Sequence, residues 1–188
     1  MPADPGVIRL FHAHVYYTEA SRPRAADLRS ALGARFAAAP LGRHYKMALA
    51  VPAPTPAPGA EPLAPAHADE IRAFYALAYP GSYFEPACLT RGRYLGVRDA
   101  HGLAAIAGTH VYSPAQGVAS LGSIATRPDV RGRGLARQVT AALCAQLAPT
   151  CPLIALNVRA DNPAAIACYR GLGFELRHEY DEWQLTAR

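Results

Sequence analysis

The chain has 188 residues, 51% of them hydrophobic, so it is long enough to bury the core of one ordinary domain with a small appendage. Its net charge is +5, but the basic residues are spread along the chain and nearly all are arginine, which argues against a nucleic-acid partner. No apolar run is long enough to cross a bilayer, and no signal-peptide pattern opens the chain. We therefore expect a cytoplasmic protein that does not associate with membranes.

Residues 1–52 are predicted to form a small β-α-β segment. Alternating side chains predict a strand over 7–17, apolar residues four apart predict a helix over 24–38, and 44–51 predicts a second strand. His12 and His14 share one face of the first strand, where His44 could join them as a third metal ligand. Histidines on a sheet are more commonly hydrogen-bonded or half-exposed, and we predict no bound metal.

The same segment resembles the start of a known family. The run Phe11-His-Ala-His-Val-Tyr-Tyr17, followed by Gly42-Arg-His44, is similar to the opening of the DOPA dioxygenase-like family, which carries functional histidines in both places. The resemblance ends near Val51, and the later segments of that family do not follow. It therefore implies a truncated or remodelled remnant.

A linker is predicted between this segment and the main domain. Residues 53–65 are rich in proline and alanine, a composition typical of an extended, semi-rigid spacer. Residues 66–188 then form the main domain. The four cysteines of the chain make no C-x-x-C pair, so neither a zinc ribbon nor a disulfide framework is expected.

The main domain alternates helices with strands. A helical pattern from His67 to Ala78 is broken over 79–86, and a short helix then runs to Thr90. The remaining predicted elements are a hairpin over 93–98 and 103–112, a strand over 118–126, a helix from Leu135, a strand over 153–158, a helix over 163–172 and terminal strands over 174–185. This order predicts an α/β (α+β) fold with a mixed sheet.

The most informative stretch is the turn between the strand over 118–126 and the next helix. It reads Arg131-Gly-Arg-Gly-Leu-Ala-Arg137. The first N–H groups of a helix have no intrahelical partner, and glycines let an anion approach the backbone closely. Arginine side chains add positive charge. The pattern favours a phosphate site over the alternative, a tight connection between strand and helix.

These residues resemble the GNAT superfamily of acyl-CoA-dependent N-acyltransferases. Arg131-Gly-Arg-Gly-Leu-Ala136 matches its R/Q-x-x-G-x-G/A signature, and residues 156–174 look like its later strand, its Asn-anchored helix and its closing Gly-Phe. The resemblance covers about 61–183 and extends to the subgroup that includes the C-terminal domain of glycine-N-acyltransferase-like proteins. It implies a mixed, half-splayed sheet flanked by helices.

The resemblance also implies acetyl-CoA as co-substrate. The strand before the loop would hold the pantetheine arm, the loop would hold the pyrophosphate, and two asparagines would contact the cofactor. The implied cofactor-binding residues are Ile124, Ala125, Thr126, Arg131, Gly132, Arg133, Gly134, Leu135, Ala136, Arg137, Asn157 and Asn162. Asn162 also stands where a helix N-cap belongs.

The resemblance implies a general acid, whereas the strand before the loop lacks the glutamate that many members of the family use as base. The candidate base, His110, is chosen for its own chemistry, and a hydrogen-bonded strand histidine is the alternative reading of it. Tyr169 lies two helical turns after Asn162, where the family commonly has its general acid, although a core aromatic is the alternative. For the base we favour His110, because its ordinary pKa of about 6.5 suits proton abstraction. Glu70 or Glu85 acting through water, or an amine that arrives already deprotonated, are the alternatives.

The acceptor site is predicted in the loop between the first two helices of the main domain. Tyr83, Phe84 and Glu85, with Tyr79 beside them, are the candidates for substrate binding, and core packing of the aromatics is the alternative.

The predicted function is N-acetyltransfer from acetyl-CoA to a primary amine of a small molecule or amino acid, by direct transfer in a ternary complex. An acyl-Cys168 intermediate is disfavoured because no histidine is adjacent. The alternatives are a metal-dependent dioxygenase-like activity of the N-terminal segment and a non-catalytic CoA-binding module. A homodimer is compatible with the sequence, which leaves the identity of the acceptor open.

Overall fold

The computed structural model describes residues 10–14, 22–82 and 84–187, and the chain divides into two compact units. The first unit comprises residues 1–46, 158–163 and 176–188, and the second comprises 47–157 and 164–175. The predicted linker over 53–65 falls inside the second unit, where Ala60–Pro62 forms a short strand. The division into an N-terminal segment, a linker and a main domain remains a prediction.

The first unit contains the N-terminal elements in the predicted β-α-β order. These are β1 (Leu10–His14), α1 (Arg22–Arg35) and β2 (Phe36–Leu49). The second strand begins earlier than the predicted start at His44. The last strand of the chain, β8 (Phe174–Ala187), pairs antiparallel with β1 through Leu10↔Thr186 and His14↔Glu182.

The second unit contains a mixed sheet. Its strands are β3 (Ala60–Pro62), β4 (Tyr94–Asp99), β5 (Gly102–Ser113), β6 (Val118–Thr126) and β7 (Leu153–Arg159). They lie side by side in that order; neighbouring strands are antiparallel except β6 and β7, which are parallel. The predicted hairpin and the predicted mixed sheet are confirmed.

Helices cover this sheet, as the periodicity predicts. They are α2 (Ala68–Ala78), α3 (Ala87–Arg91), α4 (Leu135–Leu147) and α5 (Pro163–Gly171). On α2 the residues at helical spacing, Ile71, Phe74, Tyr75 and Ala78, are buried in one core cluster with Tyr94, Ile106 and Ala125 of the sheet. Each large apolar side chain buried in this way stabilises the fold by about 1.5–3 kcal/mol. No helix in the described ranges is long and apolar enough to span a membrane.

The parallel pair β6 and β7 separates part of the way along. Their described register runs from Val118↔Leu153 to Leu121↔Leu156, whereas β6 continues to Thr126. The sheet is therefore half-splayed, as expected. The splay leaves one backbone edge of β6 without a β7 partner beyond Leu121, next to the loop that leads into α4.

Candidate active site

The glycine loop keeps the N-terminus of α4 open. Gly132 and Gly134 have φ of +79° and +80°, and a Cβ added at either would meet no atom of the described chain within 4 Å. A left-handed conformation favours glycine, and Gly134 is the N-cap residue of α4. Within the described ranges, the backbone N–H groups of residues 132–137 donate to no backbone carbonyl. These exposed donors and the helix dipole suit an anion.

The three arginines of the loop are placed differently. The Arg131 guanidinium donates from Nη2 to the Ala78 carbonyl at 2.9 Å and from Nε to the Thr126 carbonyl at 3.2 Å. It therefore connects main-chain segments rather than standing over the open loop. Arg133 and Arg137 are exposed, and Arg137 lies against α5, where a Cβ at Gly171 would come within 2.8 Å of its Nη1. The predicted contact of Arg133 and Arg137 with a phosphate remains a prediction.

The end of β6 contains the residues that the sequence predicts to contact a pantetheine arm. Ala125 is buried in the core, and Thr126 offers its carbonyl to Arg131, while Ile124 is half-buried. On β7, Asn157 is exposed and directly follows Leu156, the last residue paired with β6. The structure therefore brings Asn157 and the open edge of β6 to the same splay.

Tyr169, the predicted general acid, lies in α5. It is 8% exposed, and its ring packs edge-on against Phe174, with centroids 6.1 Å apart. Burial, with smaller contributions from Cys168 and Tyr79, raises the pKa of the Tyr169 phenol well above its ordinary value. The hydroxyl is protonated at neutral pH and has no hydrogen-bond partner among the described residues. Tyr169 is thus both a core aromatic and a free donor.

The second predicted asparagine belongs to the first compact unit. Asn162 directly precedes α5, is exposed, and donates its backbone N–H to the Arg159 carbonyl at 3.1 Å. Its predicted contact with a cofactor remains a prediction.

His110 lies on an irregular part of the sheet. The register between β5 and β6 shifts twice. His110 is an extra residue on β5, and Ser123 with Ile124 on β6 stands opposite the single residue Ala107. His110 Nε2 is 3.3 Å from Ser123 Oγ. His110 is exposed as a residue, but its ring is partly desolvated against β6, which lowers its pKa. The imidazole is therefore neutral at neutral pH and can accept a proton.

Other candidate bases are less suitable. Glu70 makes a two-pronged ion pair with Arg98, with Arg98 Nη2 at 2.7 Å from Oε2, and this pairing lowers the pKa of the carboxyl. A carboxylate stabilised in this way is a weak base. Glu85 is exposed at the start of the turn into α3, where its carbonyl accepts from the N–H of Cys88.

The aromatic side chains near the predicted acceptor site form a contiguous group. Phe84 is half-buried and packs against Tyr75 and Tyr94 with ring centroids 5.6 and 6.1 Å away. The Tyr75 and Tyr94 hydroxyls both reach Ser123, so this group contacts the residue that contacts His110. Sequence reasoning missed Tyr75 and Tyr94, which helical and strand patterns classify as core. The predicted Tyr83 lies outside the described residues.

The remaining thiol and metal predictions involve residues outside this group. Cys168 is half-buried, and burial raises the pKa of its thiol, which disfavours a nucleophilic thiolate. His44 has Nε2 at 3.1 Å from Glu182 Oε2 and its ring stacked on Tyr180. Nothing is described of the His12 and His14 side chains. Across the rest of the described chain, no group of three or more His, Cys, Asp or Glu side chains could hold a metal.

Comparisons with known proteins agree with this geometry. Residues 94–184 match the FR47-like protein family, a span just under half of the chain. No curated protein sequence matched. A crystal structure of a protein assigned to the GNAT family of acetyltransferases, from Novosphingobium aromaticivorans, is 27% identical with a TM-score of 0.71, over 80% of this chain and 68% of that chain.

Two further structures share the fold at lower identity. A GCN5-related N-acetyltransferase from Sphaerobacter thermophilus is 17% identical with a TM-score of 0.62, over 95% of this chain and 60% of that chain. The ribosomal-protein-S18-alanine N-acetyltransferase of Escherichia coli is 23% identical with a TM-score of 0.55, over 68% of this chain and 91% of that chain. The FR47-like match and the Novosphingobium aromaticivorans structure are similarities to the GNAT superfamily of acyltransferases, whereas the two structures of lower identity show a shared fold alone.

Proposed function

We propose that the protein is an N-acetyltransferase that uses acetyl-CoA and a primary amine of a small molecule or amino acid. The observation that carries this proposal is the open glycine loop at the N-terminus of α4, next to the splay between β6 and β7. When bound, acetyl-CoA supplies an acetyl group activated as a thioester. The loop residues 132–137 would hold its pyrophosphate through backbone N–H groups, with Arg133 and Arg137 adding charge.

The unpaired edge of β6 would hold the pantetheine arm. Residues 124–126 follow the last residue paired with β7 and lead directly to the loop, so their free backbone groups can bind an extended chain as a strand would. A backbone N–H of this stretch can also donate to the thioester carbonyl oxygen and stabilise the charge that develops there.

Tyr169 would donate a hydrogen bond to the departing sulfur, and His110 would act as the general base. The raised pKa of Tyr169 keeps its hydroxyl protonated, and full transfer of that proton to a thiolate, whose conjugate acid has a pKa of about 8.5, is unfavourable. Tyr169 therefore stabilises the departing sulfur as a hydrogen-bond donor. His110, kept neutral by its lowered pKa, accepts the proton of the attacking amine.

The acceptor would approach from the side of Phe84. The Phe84 ring packs against the buried Tyr75 and Tyr94. Both tyrosines contact Ser123, which in turn contacts His110. The resemblance to glycine-N-acyltransferase-like proteins favours an amino acid or another small amine as the class to screen. Direct transfer in a ternary complex is favoured because burial raises the pKa of Cys168, so an acyl-thiol intermediate has no activated nucleophile.

The first test is calorimetric titration of acetyl-CoA into the wild-type protein and a Gly134→Glu variant. The new carboxylate should exclude the pyrophosphate by charge and bulk. Gly81→Glu is the matched control, because Gly81 has φ of +81° and open space like Gly134 but lies in the loop after α2. Micromolar wild-type binding that is lost only in Gly134→Glu is expected. Wild-type protein that binds no acetyl-CoA would refute the assignment.

A second measurement separates an enzyme from a CoA-binding module. Release of CoA thiol from acetyl-CoA is followed with a panel of primary amines. Release that depends on the amine is expected, whereas tight acetyl-CoA binding without release under any amine would favour the non-catalytic module.

A further inference from the structure

Ser123 occupies a backbone conformation that serine rarely adopts. Its φ is +53°, and it is the single non-glycine residue with a positive φ in the described parts of the chain. It lies in the β6 bulge, where Ser123 and Ile124 stand opposite the single residue Ala107 of β5, and it is buried, at 7% exposure. Such a conformation persists only where the surroundings impose it, and it occurs most often at functional sites.

Two tyrosines define the orientation of Ser123. The Tyr75 hydroxyl donates to the Ser123 carbonyl at 2.6 Å, which holds the bulged backbone in place. The Tyr94 hydroxyl donates to Ser123 Oγ at 3.4 Å. Because Oγ already accepts from Tyr94, the serine hydrogen remains available for another acceptor.

The imidazole of His110 is within reach of this hydrogen, and the tautomer of the ring sets the direction of the hydrogen bond. Its Nε2 is 3.3 Å from Ser123 Oγ, and the ring lies directly over Gly122, where an added Cβ would come within 2.2 Å of Nε2. Glycine at this position is therefore what allows the ring to lie on β6. Gly122 and Ser123 are the first two residues of β6 past Leu121, where pairing with β7 ends.

We propose that Ser123 relays the amine proton to His110. This inference rests on the proposed function. As the amine nitrogen bonds to the acetyl carbonyl carbon, its proton passes to Ser123 Oγ while the Ser123 hydroxyl proton passes to His110 Nε2. The carbon–sulfur bond then breaks, the sulfur leaves as a thiolate hydrogen-bonded by Tyr169, and the imidazolium of His110 releases its proton to water. Tyr94 and Tyr75 are positioning residues, because they reach Ser123 rather than the reacting atoms.

The arrangement predicts a defined tautomer of His110. An Nε2 that accepts from serine must carry its lone pair, so the neutral ring holds its proton on Nδ1. Two titratable groups, Tyr94 and Tyr75, are linked to the His110 ring by their hydrogen bonds to Ser123. The pKa of each is raised above its ordinary value, mainly by burial, so both are neutral across the working pH range.

The test uses Ser123→Gly, which removes the hydroxyl and relieves the positive φ, so that a loss of folding does not explain the result. Ser120→Ala is the matched control on the same strand, since the Ser120 side chain makes no hydrogen bond within the described part of the chain. We expect kcat to fall at least tenfold in Ser123→Gly with acetyl-CoA affinity unchanged, and Ser120→Ala to stay within twofold of wild type.

A spectroscopic readout accompanies the kinetics. The ¹⁵N signals of His110 are assigned as those that disappear in His110→Gln. Their chemical shifts should show Nδ1–H in the wild type and a mixture of tautomers in Ser123→Gly. Ser123→Gly with wild-type kcat, or Nε2–H in the wild-type ring, would overturn the relay while leaving the acetyltransferase proposal standing. Wild-type protein that binds no acetyl-CoA would overturn both.

Discussion

The Arg131 guanidinium donates from Nη2 to the carbonyl of Ala78 at 2.9 Å, which joins the glycine loop before α4 to the last turn of α2. Its Nε also donates to the Thr126 carbonyl, at the end of β6. One side chain thus connects the proposed cofactor loop with the helix that leads into the proposed acceptor loop. The arginine of the signature therefore has a structural role here in addition to any charge it presents to a phosphate.

Replacement of the two neighbouring arginines should separate structure from binding. Arg131→Met keeps the aliphatic stem but loses both donors, so the free energy of unfolding should fall by about 1–2 kcal/mol in urea denaturation. Arg133→Met should change it by less than about 0.5 kcal/mol, because the exposed Arg133 makes no hydrogen bond or ion pair with another described residue. Arg133→Met should instead weaken acetyl-CoA binding and reduce its dependence on salt. Equal stability of the two variants would contradict this assignment.

The pH dependence of the reaction should report His110. Its folded pKa is lowered by burial, so the neutral, proton-accepting form persists below pH 6.5, the ordinary value. With the amine saturating, we expect kcat to fall as the pH drops through an apparent pKa below 6.5. His110→Gln should lose about 100-fold in kcat and show no such limb. An acidic limb that is unchanged in His110→Gln would assign the base elsewhere.

The same shift makes a prediction for stability. Burial disfavours the charged imidazolium and so lowers the pKa of His110 in the folded protein. The unfolded chain therefore takes up this proton at a higher pH than the folded chain does. The stabilising contribution of neutral His110 is therefore present above the unfolded pKa of about 6.5 and is lost as the pH falls below it. Urea denaturation at pH 7.5 and pH 5.5 should show a smaller loss of stability in His110→Gln than in wild type.

Removal of the Tyr169 hydroxyl should affect turnover rather than folding. Tyr169→Phe keeps the edge-on contact with Phe174, and the hydroxyl it removes has no partner in the described part of the chain. The melting temperature should stay within about 2 °C of wild type, while kcat should fall about 10- to 100-fold. A variant with wild-type kcat would leave Tyr169 as a core residue alone. Thermal unfolding and turnover measured on one preparation decide between the two.

Gly108 should tolerate no side chain. A Cβ there would lie 2.3 Å from the ring of Tyr94, whose hydroxyl contacts Ser123. Gly108→Ala should therefore lower the free energy of unfolding by about 1–3 kcal/mol. Gly33→Ala is the control, because Gly33 lies within α1 with no atom of the described residues within 4 Å of an added Cβ, and alanine there should be neutral or stabilise by up to about 1 kcal/mol. Denaturant titration of both variants provides the measurement.

Local patterns were sufficient for much of the fold. The spacing of Ile71, Phe74, Tyr75 and Ala78 predicts the buried face of α2, and the two glycines before Leu135 predict an open turn into α4. These features depend on residues close together in the chain, whose periodicity and backbone freedom act locally. The start of β2 was predicted wrongly. Its first residues include the alanines and proline of 37–40, which do not favour a strand, so the sequence did not indicate that β2 begins at Phe36.

The sequence by itself determined the order of elements, the glycine loop, and Tyr169 and His110 as candidates for the chemistry. Gly108 and Gly122 within predicted strands were also a signal of close approach by another side chain. Which side chain approaches depends on strand register and on two bulges, which bring Tyr94 over Gly108 and His110 over Gly122. Only the tertiary structure decided that Ser123 contacts both Tyr94 and His110. Hydrogen bonds between residues far apart in the chain depend on strand pairing, which local periodicity does not contain.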